Sequence, residues 1–320
     1  MLITKSLSYM AESQRQTIIN LYNSGISPEI IAFQLDISLE DVDKVVQNIN
    51  ETNVPAKQAP EAGLLGSFYL DAVVDLDKAI KMAQQRVWKA LKVESKFDIS
   101  TEETHEILAR YSKSKVMLVI LHIDLVGSTR LSSDLPTDRL AAIIQAFTQE
   151  MSITISAYGG YVLKYVGDAI MAFFLATGDK YLPSINAVNC AHSMIKIIRE
   201  GINPILNQYD YAEMNVRVGI DLGENVVVQY GWDIFNIDGK KFKRPHFDIL
   251  GHTINIATKM TSLGKPDQIV IGQMVYDVLD DRQKSAFHRL KVSADVWGYM
   301  SDYAGGGIYP IYSTDGTYMH

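Results

Sequence analysis

VMLVILHIDLVGST (residues 116–129) and GGYVLKYVGDAIMAFF (residues 159–174) are the stretches whose reading decides the fold. Each holds an apolar run rich in Val, Ile and Phe, the composition of a buried strand. Each also carries one aspartate close to a glycine, Asp124 before Gly127 and Asp168 after Gly167. A carboxylate at the end of a dry strand has lost much of its water and needs a partner. One strand–helix–strand crossover separates the two, which sets them on adjacent strands. Two carboxylates brought that close repel unless a cation lies between them. Mg2+ suits such a place, because it takes one or two carboxylates together with phosphate oxygens.

Outward from these stretches the pattern alternates. Thr137 to Tyr158 repeats apolar residues at helical spacing (Leu140, Ile143, Phe147, Met151, Ile155) and ends at Gly159-Gly160. Tyr161–Val166 and Ala169–Phe174 read as strands joined by a tight turn at Gly167-Asp168. Pro183 to Gly201 is a second helix. MNVRVGID (214–221) alternates as a strand, and Asn225–Tyr230 is expected to return as its hairpin partner. Gly231 to Phe247 reads as an irregular arm bearing Lys240, Lys241, Lys243 and Arg244. FDILGHTINIATKM (247–260) is a strand end and a helix, with Ile254, Ala257, Thr258 and Thr261 inward and His252, Asn255 and Lys259 on another face. Further strands are expected at Ile269–Gly272 and Ile308–Ser313, with a helix over Met274–Asp281 between them. This β-α-β-β-α-β order with extra strands describes an α/β (α+β) ferredoxin-like sheet whose helices pack on one face.

Upstream, residues 1–52 hold three short helical segments around the Asn23-Ser24-Gly25 turn, with Pro28 opening the second and Ser38 capping the third. They resemble a helix-turn-helix module. The third segment sets Glu40, Asp41 and Asp43 against Lys44, and residues 1–57 hold four Lys+Arg against seven Asp+Glu. DNA recognition needs a basic face, so the acidic balance favours docking or dimerisation, with a regulatory protein or ligand as the expected partner of this module. Residues 53–66, with Pro55 and Pro60, read as a linker. Residues 67–114 are a helical connector; its stripe Ala72, Leu76, Ile80, Ala83, Val87 and Leu91 fits a coiled-coil seam or a helix packed on the next domain. The main domain spans 115–313, and 314–320 is a tail. The net charge of −7 gives no attraction to nucleic acid or acidic lipid, the single Cys190 suits a reducing compartment, and no apolar run approaches membrane-spanning length, so a cytoplasmic protein is expected.

Two basic residues stand out in the strands. Lys164 shares a strand face with Val162 and Val166, where an ammonium is costly unless paired. It must meet solvent, a partner subunit or a ligand. Arg217 lies across its strand from Val216 and Val218.

HIDLVGST, GGYVLKYVGDAIMAFF, VRVGIDLG and FDILGHTINIATKM, in this order, resemble the motifs of a class III nucleotidyl (adenylate/guanylate) cyclase. The resemblance implies a head-to-tail homodimer with two active sites in its interface, and an in-line displacement that closes ATP to cyclic AMP and expels pyrophosphate. It implies that Asp124 and Asp168 of one subunit hold two Mg2+ or Mn2+ ions per site, with Arg217 binding phosphate. Lys164 and Asp248 of the other subunit match the pair that reads the base. Lysine donates to adenine N1 and aspartate accepts from the exocyclic amine, so the pair resembles an ATP reader. Asn255 matches the residue that orients the ribose. Lys259 stands where the family has a transition-state arginine; it keeps the charge but loses the planar fork. A late phosphate-binding lysine has no clear counterpart in VSADVWGYMSDYAGGG (292–307), and the basic arm Lys240–Arg244 is the substitute considered. The Gly127-Ser128-Thr129 loop either wraps phosphate with backbone N–H groups or is a plain turn. Two alternatives remain: a catalytically weak nucleotide-binding regulator signalling through its N-terminal helices, and a cyclase using GTP, CTP or UTP.

Overall fold

The computed structural model describes residues 15, 17–19, 22, 28–35, 37–51, 75–92, 101–128, 131, 133, 135–237, 239–301 and 305–315. The linker expected at 53–66 and most of the tail at 314–320 lie outside them. The chain divides into two compact units, Met1–Ala79 and Ile80–His320. Among the described residues no helix is long and apolar enough to cross a membrane.

In the first unit, α1 (Pro28–Leu35) and α2 (Leu39–Glu51) enclose a small core of Ile31, Val42, Val45 and Val46, joined by Ile18. Pro28 opens α1, where its missing N–H costs nothing. Ser38 Oγ accepts the Asp41 N–H at 3.1 Å and caps α2.

The second unit begins within α3 (Leu76–Lys92), followed by α4 (Glu102–Arg110). From Ile80 onward the connector's stripe is packed within the second unit; Leu76 is half-buried in the first unit, and Ala72 lies outside the described residues. Ile80, Ala83, Val87, Ala90 and Leu91 are buried, and Gly201 leaves room for the Ala83 methyl. Polar contacts fix the seat. Arg86 forms a fork with Glu150, at 2.5 and 2.6 Å, and the Glu150 side chain is only 3% exposed. Gln84 donates to the Glu200 carbonyl and Arg139 to the Leu91 carbonyl.

The sheet is built from β1 (Lys115–Val126), β2 (Tyr161–Val166), β3 (Ala169–Leu175), β4 (Asn215–Ile237), β5 (Lys240–Leu250), β6 (Gln268–Gly272), β7 (Phe287–Arg289) and β10 (Ile311–Thr314), with the small pair β8 (Met300–Ser301) and β9 (Gly307–Ile308) apart from it. Its order is β2-β3-β1-β4-β6-β10-β7, and β5 also pairs with β4. All pairings are antiparallel except β4 with β6. The crossover helices α5 (Thr137–Ala157) and α6 (Tyr181–Ile197) touch each other through Tyr158 and Ser193, whose hydroxyls lie 2.7 Å apart. A π-turn (Ile198–Ile202) and α7 (Asn203–Asn207) continue from α6.

Helices cover both faces of the sheet rather than the single face expected. Residues Leu118 to Ile123 of β1 are almost all fully buried, so neither face meets water. Phe174 packs near Ile155 of α5 on one face. On the other, Leu118, Ile120, Met171 and Phe173 join Leu108 of α4 and Ala257 of α8 (His252–Leu263).

Strand β4 departs most from expectation. It runs unbroken through Gly223-Glu224, where a hairpin turn was expected, and pairs with β1 along its first half. Gly223 serves contact instead of chain reversal: a Cβ there would stand 2.3 Å from Thr253 Oγ1. The arm expected to be irregular is a ladder, with β4 turning back into β5 and Ile237 facing Lys240 across two residues. Asp238-Gly239 is the pattern of a tight hairpin turn, and Gly239 has φ +76°.

Helix α8 lies directly on β4. At Gly219 a Cβ would stand 2.1 Å from the Ala257 carbonyl and 2.6 Å from Thr261 Oγ1. His122 Nδ1 hydrogen-bonds with the same Thr261 hydroxyl at 3.0 Å, tying α8 to β1 as well. Of the inward stripe expected on α8, Ala257 and Thr261 are buried, Ile254 is half-buried, and Thr258 is exposed; Thr253 and Met260 complete the buried face. The remaining elements are α9 (Gln273–Val278) and α10 (Asp281–Lys284).

Gly219→Ala is expected to destabilise the second unit by about 2–3 kcal/mol, read from the urea midpoint, because the colliding atom is backbone. Arg86→Ala is expected to cost about 3–5 kcal/mol by leaving Glu150 buried and unpaired, and the Arg86→Met/Glu150→Leu double variant to cost clearly less.

Candidate active site

The antiparallel register sets Asp124 at the end of β1 opposite Arg217 of β4, while Ile123 faces Ile170 of β3. Asp168, in the turn just before β3, therefore lies at the same end of the sheet as Asp124. Arg217 donates to Asp124 Oδ2 at 2.7 Å, with both side chains about a quarter exposed (26%/26%). Asp168 Oδ2 is buried with no hydrogen-bond partner. A buried acceptor left bare costs free energy unless a cation or water satisfies it. Among the described residues no cluster of three or more His, Cys, Asp or Glu side chains offers a closed cage. Two carboxylates and an open side fit a hard divalent ion that draws its other ligands from water and phosphate.

A second group sits on other strands. Lys164 of β2 donates to Asp248 Oδ2 of β5 at 2.5 Å, with side chains 38% and 20% exposed. The lysine thus finds its partner within its own subunit. Its expected alignment with Val162 does not hold, because a register shift between Val162 and Lys164 breaks strict alternation in β2. Asp248 Oδ1 also accepts the Ile249 N–H. Among the described residues, no hydrogen bond or ion pair joins Lys164 or Asp248 to Asp124, Asp168 or Arg217.

The third group lies on α8. His252, Asn255 and Lys259 are all exposed, as one shared face requires. The Lys259 ammonium lies 4.9 Å from the centre of the Tyr299 ring. In the arm, Arg244 is engaged by Glu102 at 2.6 Å and stacks near Phe235, so it is not a free phosphate ligand. Gly127 turns with φ +78°; Thr129 of the same loop lies outside the described residues.

Two further groups are buried on β1 and β4: His122, expected from the sequence to be a packed histidine, and Asp221, which the sequence reading passed over. His122 is a packed histidine whose burial holds its pKa below the ordinary value. Asp221, in β4, is 2% exposed, and desolvation raises its pKa to about 7 against the pull of the Tyr309 hydroxyl, which donates to it at 2.9 Å. The signal was available: Asp221 falls in the same strand phase as Gly219 and Gly223, inside an apolar strand.

A sheet of this order, with two carboxylates at one end, fits a nucleotidyl cyclase catalytic domain. The model of the adenylate and guanylate cyclase catalytic domain family matches residues 110–301, more than half of the chain, and the chain belongs to that family. Among characterised relatives it is similar to a cytidylate cyclase of Escherichia coli, 29% identical over 168 residues, covering 51% of this chain and 35% of the relative. It is also similar to a uridylate cyclase of Rhodovulum sp. (strain MB263), 26% identical over 55% of this chain and 70% of the relative. A germination-specific adenylate cyclase of Dictyostelium discoideum is 20% identical over 82% of this chain and 30% of the relative. The chain thus spans about a third of the length of the E. coli relative. Among solved structures, the guanylyl cyclase Cya2 has the same fold, with a TM-score of 0.51 and 21% identity over 64% of this chain and 95% of that one.

Ionising Asp221 in the fold is unfavourable, since its folded pKa lies above the unfolded value of 3.8. Its contribution is therefore lost as pH rises from about 4 to about 7. The stability of Asp221→Asn, relative to wild type, is expected to rise over that window and level off above it, measured as urea midpoints at matched pH.

Proposed function

We propose that this protein is a nucleotidyl cyclase working as a head-to-tail homodimer, which converts ATP to 3′,5′-cyclic AMP and pyrophosphate. The ribose 3′-oxygen attacks the α-phosphorus, the bond from that phosphorus to the bridging oxygen breaks, pyrophosphate leaves, and the 3′-hydroxyl proton is released. The observation that carries this reading is the bare, buried Oδ2 of Asp168 at the same sheet end as Asp124. Both carboxylates would hold Mg2+ or Mn2+, which, when bound, lowers the pKa of the 3′-hydroxyl and neutralises the triphosphate. Arg217 orients Asp124 through its 2.7 Å bond and offers its other terminal nitrogen, Nη1, to phosphate, its Nε being buried. Asn255 orients the ribose, and Lys259 supplies positive charge to the transition state, both from the subunit opposite the one that gives Asp124 and Asp168 to that site. Lys164 and Asp248, given by the other subunit, read the base. Their lack of any bond to the carboxylate group within one chain is consistent with that division.

The Lys164–Asp248 pair supports a second substrate. Cytosine, like adenine, presents a ring-nitrogen acceptor beside an exocyclic amine. Guanine and uracil reverse that pattern. The pair therefore argues against GTP and UTP but not against CTP, and the similarity to a cytidylate cyclase favours CTP. For the first unit, the helix-turn-helix reading of residues 1–52 and the division into linker 53–66 and connector 67–114 belong to the same proposal, with regulatory input arriving through that module.

Purified protein with Mn2+ and each of ATP, GTP, CTP and UTP is expected to yield a cyclic product from ATP or CTP, with GTP and UTP well below. Nucleotide binding without any cyclic product would support the weak regulator instead. Asp168→Ala is expected to fall to background while remaining dimeric. Mixing Asp168→Ala with Asn255→Ala subunits is expected to restore activity, because each mixed dimer keeps one intact site. Loss of the shared-site idea would follow if subunits exchange and no activity returns.

A further inference from the structure

Lys259 sits where an arginine would orient itself through its planar fork. A lysine has a flexible four-carbon stem and a point charge, so something else must fix its direction. Its ammonium lies 4.9 Å from the Tyr299 ring centre, within the range in which an aromatic face attracts a cation. Tyr299 itself is firmly held. Its carbonyl accepts the Tyr309 N–H at 2.7 Å. Its ring lies 5.4 Å from that of Trp297, whose indole N–H donates to the Tyr309 carbonyl at 2.7 Å. Trp297 and Tyr309 are buried in one cluster with Met260 of α8. The Tyr309 hydroxyl donates to Asp221 and accepts the Met274 N–H at 3.0 Å. The segment is thus anchored to β4, to the start of α9 and to the same helix that carries Lys259.

We propose that Tyr299 is the positioning residue for Lys259: its ring holds the ammonium on the outer face of α8, beside Asn255, and supplies the directional restraint that the missing guanidinium fork would have given. The assignment rests on the cyclase reading above. It also gives the segment 292–301, left without a role in the sequence reading, a function through its aromatic residues.

The test compares Tyr299→Phe, which keeps the ring, with Tyr299→Leu, which keeps apolar bulk without it. Wild-type, Phe and Leu proteins are compared by steady-state kinetics on whichever nucleotide turns over, with thermal melting as the folding control. Tyr299→Phe is expected to match wild type. Tyr299→Leu is expected to lose about 3- to 10-fold in kcat with KM little changed, since the interaction acts in the transition state. Adding Lys259→Ala to Tyr299→Leu is expected to cost no more than Lys259→Ala alone, the signature of coupled residues. A direct reading of the contact comes from the Lys259 side-chain proton shifts, displaced by the ring current in wild type and Tyr299→Phe and relaxed in Tyr299→Leu. Unchanged kcat in a folded Tyr299→Leu, or additive losses, overturns the inference while leaving the cyclase reading standing. Absence of cyclic product from the wild-type protein overturns the cyclase reading and the inference with it.

Discussion

At Gly219 and Gly223 strand β4 presents bare backbone, and α8 comes down onto it until the Ala257 carbonyl and the Thr253 and Thr261 hydroxyls fill the space side chains would take. The height of α8 above the sheet follows from that absence of side chains. So does the placement of Asn255 and Lys259, which ride on its exposed face. The Thr261–His122 contact ties the helix to β1 two residues before Asp124. One close approach therefore fixes α8 against β4 and β1 within the chain, and a methyl group at either glycine would disturb that packing.

The ion pairs of the candidate site act differently. Asp124–Arg217 and Lys164–Asp248 are partly exposed, and such pairs contribute little net stability. What they fix is direction: each holds a charged side chain in one orientation, which under the proposed function would leave less ordering for the reacting step. Asp168 stands outside both pairs, with an oxygen buried and unsatisfied. The asymmetry between one carboxylate already held and one still bare is the observation on which the proposed cation site rests.

Most of the sheet was legible, because its strands are dry runs bounded by glycine and its helices carry clear three-to-four spacing. Where the reading failed, one residue type had two meanings. Gly223 suggested a reversal, whereas it serves close packing; the true reversal carried its own signal at Asp238-Gly239, inside an arm whose charges had drawn attention away. Lys164 was correctly singled out as needing a partner, but a strict two-residue alternation misses the shift after Val162. Tyr299 could not have been tied to Lys259 from the sequence, because only the folding of the C-terminal segment against α8 brings them together. For α3, the apolar stripe was visible, but the Arg86–Glu150 fork that seats its second-unit part joins positions far apart in the chain.

That fork also governs what α3 can convey. A guanidinium and a carboxylate locked in a dry seam tolerate no sliding, since a shift of one helical turn would strand a naked charge away from water. Gln84 and Arg139 pin the same rod at two other points. From Ile80 onward, α3 is therefore held in one register against α5.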